Sequence, residues 1–513
     1  MRTQGSQPRS ARIGAHRTVG IALVVAACGL APVSSPTSIV VSQPPTTTAT
    51  TPTTTARECR LEPVQHVFTG TDPVELSLAI ANAALDCVDE LVVASGSPDE
   101  LETAGRFAAA RDVPLLITAT ATDLTDELNR LAPASITVIG DILPSGIPTG
   151  TETESLTVAA AAAQASTDES SSAGGIWLAD ATRADLAAPV IALAASRSEG
   201  VLLADPANVL GDRDLTTVIR QRAPASLFLA GGFDPLTAEW QRAALLEAPE
   251  LPGGGLTMFP GRRLVALYGN PTTSALGVLG EQGPEEAVTR AGEIAAAYDA
   301  DGTPTLLGFE IIATVASAGA TADGNYSEEM TPDILRPWID VAGAHGVYVI
   351  LDLQPGRTDF LTQAKLYEEF LRLPYVGLAL DPEWRLEPDQ VHLRQIGSVE
   401  ATEVNLVSEW LAGVVRDNNL PQKFFLLHQF RLDMIKNREL VQTHPELATV
   451  IQMDGQGPLH TKYETWNALL PGTEGSAINW GWKNFYDEDT PRGGATPAEV
   501  LALDPVPVYV SYQ

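Results

Sequence analysis

The sequence predicts an α/β protein in which two duplicated parallel α/β repeat units precede a (β/α)8 TIM-like barrel. Short apolar runs alternate with helical stretches, as in parallel sheets covered by helices. This alternation occurs twice before residue 235, at a spacing of about 85–90 residues, which indicates duplication. The remainder, residues 262–513, matches the length of about 250 residues that is usual for a barrel. A doubly wound sheet is the alternative for this last region.

Composition limits the classes of partner. The 513 residues include 32 Lys and Arg against 64 Asp and Glu, so the formal net charge is −32. Nucleic-acid binders need basic surface to neutralise phosphates, and we therefore expect no nucleic-acid partner. The same excess opposes simple electrostatic adhesion to anionic lipids or wall polymers.

Residues 1–27 predict a lipoprotein signal peptide. Four arginines precede the apolar run 19–27, which is about nine residues and too short to span a bilayer. The tetrapeptide Val25-Ala26-Ala27-Cys28 resembles a bacterial lipobox, which implies a diacylglycerol on Cys28. The alternative is an ordinary signal peptide with an incidental cysteine. The predicted location is the extracytoplasmic face of the cell membrane, reached through this lipid anchor.

Residues 28–57 predict a tether, because a segment rich in Thr and Pro cannot form a core and tends to stay extended. O-glycosylation of its Thr run and a plain solvated spacer are both compatible with it. Beyond the tether, the remaining cysteines are Cys59 and Cys87. An exported protein is permitted a disulfide, and this one would stabilise the fold by about 3 kcal/mol. Two buried free thiols are the alternative.

The two predicted repeat units span residues 58–150 and 151–234. In each, apolar strands end in small or acidic residues and are followed by Ala-rich helices. The residues that carry a family resemblance are Ser95-Gly96, Asp99-Glu100-Leu101, Pro114-Leu115-Leu116 and Ile139-Gly140, then Asp185-Leu186, Leu202-Leu203 and Gly231-Gly232. Their order resembles the cell wall-binding repeat 2 family over about a third of the chain. The resemblance implies association with the cell envelope and its polysaccharide.

Residues 235–261 predict a helix and a linker, and residues 262–513 predict the barrel. Runs that are apolar on both faces fit strands buried between a lumen and a ring of helices. The eight candidate strands are 264–268, 305–312, 347–352, 376–381, 424–429, 448–454, 477–482 and 507–512.

Polar residues follow or end most of these strands, and in such barrels the chemistry lies at the C-terminal strand ends. The predicted substrate-binding residues are Glu310, Asp352, Gln429, Trp480, Trp482 and Asn484. Amides bind sugar hydroxyls and tryptophan faces stack on sugar rings, so a carbohydrate site is expected. Glu310 has a second interpretation as the partner of a buried cation, Asp352 as a structural rim residue, and Trp480 or Trp482 as packing residues.

The fourth strand ends Val376-Gly377-Leu378-Ala379-Leu380-Asp381-Pro382-Glu383. It resembles the Asp-Gly-x-Asp-x-Asp-x-Glu strand of chitinase-type glycosidase barrels, although Val376 and Ala379 replace the first two acids. The resemblance implies that Glu383 is the proton donor, with Asp381 or Asp454 as its assisting carboxylate. Helix-capping or salt-bridged acids, or a structural rim role for Asp454, are the alternative interpretation.

We expect no cofactor and no metal, because no metal triad, P-loop or dinucleotide fingerprint occurs in the sequence. His428 is interpreted equally well as a core histidine. The sequence thus predicts a membrane-anchored envelope lipoprotein with a glycoside hydrolase-like barrel that acts on or binds envelope or extracellular glycan. The alternative is a non-catalytic glycan-binding or structural envelope protein with a degenerate barrel. A peptidase or amidase would need a nucleophile or metal signature, which the sequence lacks.

Overall fold

The computed structural model describes residues 59–119, 123–141, 144–164, 174–473 and 475–513. The predicted signal peptide, Cys28 and the tether lie outside these residues. The chain from Glu58 to Gln513 belongs to one compact unit. In the part of the chain that the structure describes, no helix combines the length and apolar character needed to cross a bilayer.

The N-terminal region alternates short strands with helices. Its strands are β1 Val67–Thr69, β2 Glu90–Ala94, β3 Leu115–Ile117, β4 Ser135–Ile139, β5 Glu152–Leu156, β6 Ile176–Asp180, β7 Gly200–Ala204 and β8 Leu227–Gly231. Its helices are α1 Pro73–Ala84, α2 Pro98–Ala109, α3 Thr125–Leu131, α4 Val158–Ala162, α5 Ala184–Ser196, α6 Arg213–Arg222 and α7 Ala238–Glu247.

These strands form two four-stranded parallel sheets, in the orders β3-β2-β4-β5 and β1-β8-β6-β7. Strand β1 lies within the first predicted unit but pairs with a strand of the second. Strand β5 lies after residue 150, in the second predicted unit, but pairs with a strand of the first. The two sheets therefore exchange terminal strands across the predicted boundary between the units.

Small residues allow the helices of this region to approach closely. A Cβ atom added at Gly105 of α2 would lie 2.8 Å from the Cα of Ala188 in α5. Contacts of this kind need glycine and alanine, which explains the Ala-rich helices. A disulfide joins Cys59 to Cys87, with the two Cα atoms 4.7 Å apart, and the predicted bridge is confirmed.

The C-terminal region contains the remaining elements. Its strands are β9 Arg263–Gly269, β10 Thr305–Ala316, β11 Ser327–Glu329, β12 Tyr348–Leu353, β13 Val376–Leu380, β14 Val399–Glu400, β15 Lys423–Gln429, β16 Ile435–Lys436, β17 Leu447–Met453, β18 Asn479–Asn484 and β19 Tyr509–Tyr512. Its helices are α8 Pro284–Ala295, α9 Pro332–His345, α10 Phe360–Leu366, α11 Glu368–Leu371, α12 Ala401–Asp417, α13 Leu459–Leu469 and α14 Pro497–Leu501.

Eight of these strands close into an all-parallel barrel in the order β9-β10-β12-β13-β15-β17-β18-β19. Strand β9 pairs with both β10 and β19, which closes the sheet. The predicted (β/α)8 barrel is confirmed, and the doubly wound alternative is wrong. Each of the eight candidate strands overlaps an observed one.

The N-terminal end of the lumen is filled by apolar side chains. Met258 and Phe259, from the predicted linker, pack into one buried cluster with Tyr348, Phe424 and Tyr509 of the strands. The helix before them is also tied to the barrel, because the Trp240 indole N–H donates to the Leu420 carbonyl at 2.9 Å. With this end closed, the other end of the lumen is the one that holds the polar groups.

Candidate active site

Strand alternation decides which side chains reach the lumen. On β15, Phe424 and Leu426 pack in the lumen, whereas Phe425 and Leu427 pack against the helices. His428 continues the inward set. The same alternation on the neighbouring strands brings together, at the C-terminal end, the buried side chains of Tyr268, Glu310, Asp352, Asp381, His428, Asp454, Lys483 and Tyr509.

His428 lies at the centre of this cluster. Its Nε2 is 2.7 Å from Oε1 of Glu310, and its Nδ1 is 2.7 Å from Oδ2 of Asp454. Burial alone would lower the pKa of His428, but the carboxylates of Glu310, Asp454 and Asp352 outweigh burial and raise this pKa well above its usual value. The ring is therefore an imidazolium that donates through both nitrogens.

Lys483 is the second cation of the cluster. Its Nζ is 3.1 Å from Oδ1 of Asp454 and 3.5 Å from the centre of the Tyr268 ring. Burial raises the pKa of Asp454, but Lys483 and His428 outweigh burial and bring it below its ordinary value. Asp454 therefore stays ionised between two cations.

Asp352 and Glu310 are held by tyrosine hydroxyls. Tyr268 donates to Oδ2 of Asp352 at 3.0 Å, and Tyr509 donates to Oε2 of Glu310 at 2.5 Å. Burial raises the pKa of Asp352 to about 7, helped by the charge of Glu310 and opposed by His428. Glu310 thus does pair with a buried cation, but the partner is His428 rather than the expected Lys or Arg.

Glu383 lies just beyond β13 in a 3₁₀ turn, Pro382–Trp384, and its side chain is partly exposed. The Gly397 N–H donates to the Glu383 carbonyl at 2.7 Å, and a Cβ atom at Gly397 would lie 2.5 Å from that oxygen. The turn is therefore held by an approach that only glycine permits. Burial, and then the charge of Asp454, raise the pKa of Glu383 to about 7.

Asp381 faces inward at the end of β13 and is 2% exposed. Its Oδ1 is buried without a hydrogen-bond partner. Burial and the charge of Glu383 raise the pKa of Asp381 well above its usual value, which favours the protonated form of this carboxyl.

Four of the predicted substrate-binding side chains face away from the lumen. Gln429 accepts from Arg438 Nη1 at 2.9 Å and donates to the Arg431 carbonyl at 3.0 Å, which anchors the loop after β15. Asn484 accepts from the Trp482 indole N–H and from the Ala495 N–H, each at 2.9 Å. Gln429 and Asn484 therefore lie outside the lumen cluster, and their substrate binding stays a prediction.

Trp480 and Trp482 pack outward against Trp466 of α13, with ring centres 5.7 and 5.9 Å apart. Because side chains alternate along β18, Gly481 and Lys483 take the lumen positions instead. The contacts with Trp466 agree with the packing interpretation of these tryptophans, and sugar stacking by them stays a prediction. Every second residue of a strand faces the same side, so an inward Gly481 would have predicted an inward Lys483, and an inward Leu426 an inward His428.

Two sets of side chains place ligand atoms close enough to share a metal ion: Glu310, Asp352 and His428, and Asp381, His428 and Asp454. Both nitrogens of His428 are already engaged with carboxylates, and Lys483 occupies the cation position beside Asp454. These residues fit internal ion pairs better than a metal centre.

Compared with known protein families and with curated proteins, the chain matches none of them.

Proposed function

We propose that the barrel hydrolyses a glycosidic bond, with Glu383 as the general acid and Asp454 as the carboxylate that stays ionised. The observation that supports this is the opposite direction of the two pKa shifts: Glu383 is raised to about 7 and Asp454 is lowered. Glycoside hydrolysis needs one protonated and one ionised carboxyl beside the same bond. The charge of Asp454 contributes to the raised pKa of Glu383, which supports a shared site for the two carboxyls at this end of the barrel.

In this proposal Glu383 protonates the oxygen of the leaving sugar. Asp454 stabilises the positive charge that develops at the anomeric carbon, and His428 and Lys483 keep Asp454 ionised and oriented. Water then adds to that carbon and gives up a proton to the Glu383 carboxylate. Asp381 is the weaker candidate for the assisting carboxylate, because burial and the charge of Glu383 raise its pKa and disfavour the ionised form.

We place this activity in the cell envelope. The signal peptide over residues 1–27, the lipid on Cys28 and the tether would anchor the protein to the membrane at its extracytoplasmic face. The N-terminal sheets would act as duplicated cell wall-binding-like repeats, and the partner would be cell-wall or extracellular polysaccharide. The lipobox and repeat resemblances support this part of the proposal.

The test is a glycan-release screen of the full chain on peptidoglycan-type and α-glucan-type substrates. We expect Glu383→Gln to abolish release of any glycan that the parent cleaves, because the amide cannot donate the proton. Glu387→Gln is the matched control, since Glu387 is exposed four residues further on. Release that persists in folded Glu383→Gln would remove this residue from the role.

A second candidate function is glycan binding without cleavage. It is favoured by strand β13, where Ala379 occupies the apolar lumen cluster at the position of an acid in chitinase-type barrels. Binding of glycan with no release by the parent chain would support this alternative.

A further inference from the structure

Three loops at the C-terminal end of the barrel bring aromatic and basic side chains together beside Glu383. We call Tyr326, Arg357, Trp384 and His392 the rim wall. The ring centres of Trp384 and His392 are 5.3 Å apart, and those of Tyr326 and His392 are 6.3 Å apart. The guanidinium carbon of Arg357 lies 4.4 Å from the centre of the Tyr326 ring. Trp384 follows Glu383 directly, so the wall adjoins the proposed acid.

Backbone contacts hold the wall in place. The His392 Nε2 is 3.0 Å from the Tyr326 carbonyl, which can only accept, so Nε2 carries the proton. Arg357 donates to the Gln390 carbonyl at 2.8 Å. Tyr326 has a φ of 66°, in the left-handed region, and strained residues of this kind concentrate at functional sites.

The wall offers partly exposed aromatic rings and one hydrogen-bond acceptor. Trp384 and Tyr326 are only partly buried. Since Nε2 of His392 carries the proton, Nδ1 is left with a lone pair. Burial lowers the pKa of His392, so the ring stays neutral and Nδ1 remains an acceptor at neutral pH. A flat aromatic face beside a hydrogen-bond acceptor suits a sugar ring, which has an apolar C–H face and peripheral hydroxyls.

Charge indicates which sugars fit. At the strand ends His428 and Lys483 pair with Glu310 and Asp454, whereas the whole chain carries a net charge of −32. Arg357 is engaged with the Tyr326 ring and the Gln390 carbonyl. An anionic sugar would therefore meet long-range repulsion from the chain, and Arg357, the cation of the rim wall, already has two partners.

We propose that Trp384 forms the floor of a subsite for an uncharged pyranose ring, which donates a hydroxyl to Nδ1 of His392. This inference rests on the proposed function, because the ring belongs to the glycan that Glu383 would protonate. Trp384 is thereby a specificity-determining residue.

The experiment is calorimetric titration of the full chain carrying Glu383→Gln. The probes are maltohexaose and hexa-N-acetylchitohexaose, which are neutral, and hexagalacturonate, which is anionic. We compare Trp384→Leu with Trp410→Leu, since Trp410 is also partly buried but lies on the outer helix α12. Thermal unfolding checks that each variant is folded.

We expect at least one neutral hexasaccharide to bind, Trp384→Leu to weaken its affinity at least tenfold, and Trp410→Leu to leave it unchanged. Hexagalacturonate should bind at least tenfold more weakly. Equal affinity in folded Trp384→Leu, tighter binding of hexagalacturonate, or no binding of either neutral probe would each overturn the subsite. If Trp384-dependent binding persists while no glycan is released by the parent chain, hydrolysis fails and the subsite stands.

Discussion

The N-terminal sheets and the barrel both place acids at the C-terminal ends of parallel strands, but they use them differently. At the end of β6, Asp180 accepts from the Thr182 N–H at 2.8 Å and from the Gly232 N–H at 3.1 Å. Its oxygens are satisfied by backbone from nearby turns. In the barrel, Asp454 instead meets His428 and Lys483 from two other strands.

The difference shows that acids at strand ends interact electrostatically with charges from other strands when the sheet closes into a barrel. In an open sheet each strand end has two neighbours, and local turns can satisfy a carboxylate. In a closed barrel all eight ends converge, so charges from distant strands set one another's pKa values. Three variants or conditions test this contrast.

The largest effect is expected from Lys483→Met. It removes the buried counter-ion of Asp454, and breaking such a pair typically costs about 3–5 kcal/mol. Urea denaturation at pH 7 measures the free energy of unfolding. Lys365→Met, on the exposed face of α10, is the control and should change it by less than about 0.5 kcal/mol. A loss in Lys483→Met no larger than in the control would show that the strand ends are not coupled.

An intermediate effect is expected on the pH dependence of hydrolysis. Glu383 must be protonated to act, and its pKa is raised to about 7, so the rate should fall about tenfold per pH unit above that value. The acidic limb should lie below the ordinary range of aspartate, because the pKa of Asp454 is lowered.

Lys483 lowers the pKa of Glu383, so folded Lys483→Met should move the alkaline limb to higher pH. Initial rates on a cleaved glycan across pH 4–9 would measure the alkaline limb and should show no acidic limb within that range. An alkaline limb that stays in place would contradict the electrostatic coupling across strands.

The smallest effect is expected from Asp180→Asn. The amide keeps one acceptor oxygen but loses the charge-assisted hydrogen bond to Gly232, which costs about 1–2 kcal/mol. Urea denaturation measures the free energy of unfolding, and Asp214→Asn, at an exposed position of α6, is the control. A loss as large as that of Lys483→Met would erase the distinction between the two regions.

Much of the fold was predictable because hydrophobic periodicity is local. All eight barrel strands and the cysteine pair were found from the sequence, as were the inward acids Glu310, Asp352, Asp381 and Asp454. The sequence left the lumen and packing positions of Trp480 and Trp482 open, because the face that a residue takes depends on the register of its strand. The exchange of β1 and β5 between sheets was missed because pairing is non-local.

The sequence by itself determined the alternation of strands and helices, the closure length of the barrel and the acidity of its strand ends, since these depend on residues near one another in the chain. Only the tertiary structure decided that His428 and Lys483 lie between Glu310, Asp352 and Asp454. The pKa of each group depends on charges a few ångströms away that come from strands far apart in the sequence. No local sequence pattern encodes the distances between these charges. The assignment of Glu383 as the acid and Asp454 as the ionised carboxylate depends on those distances.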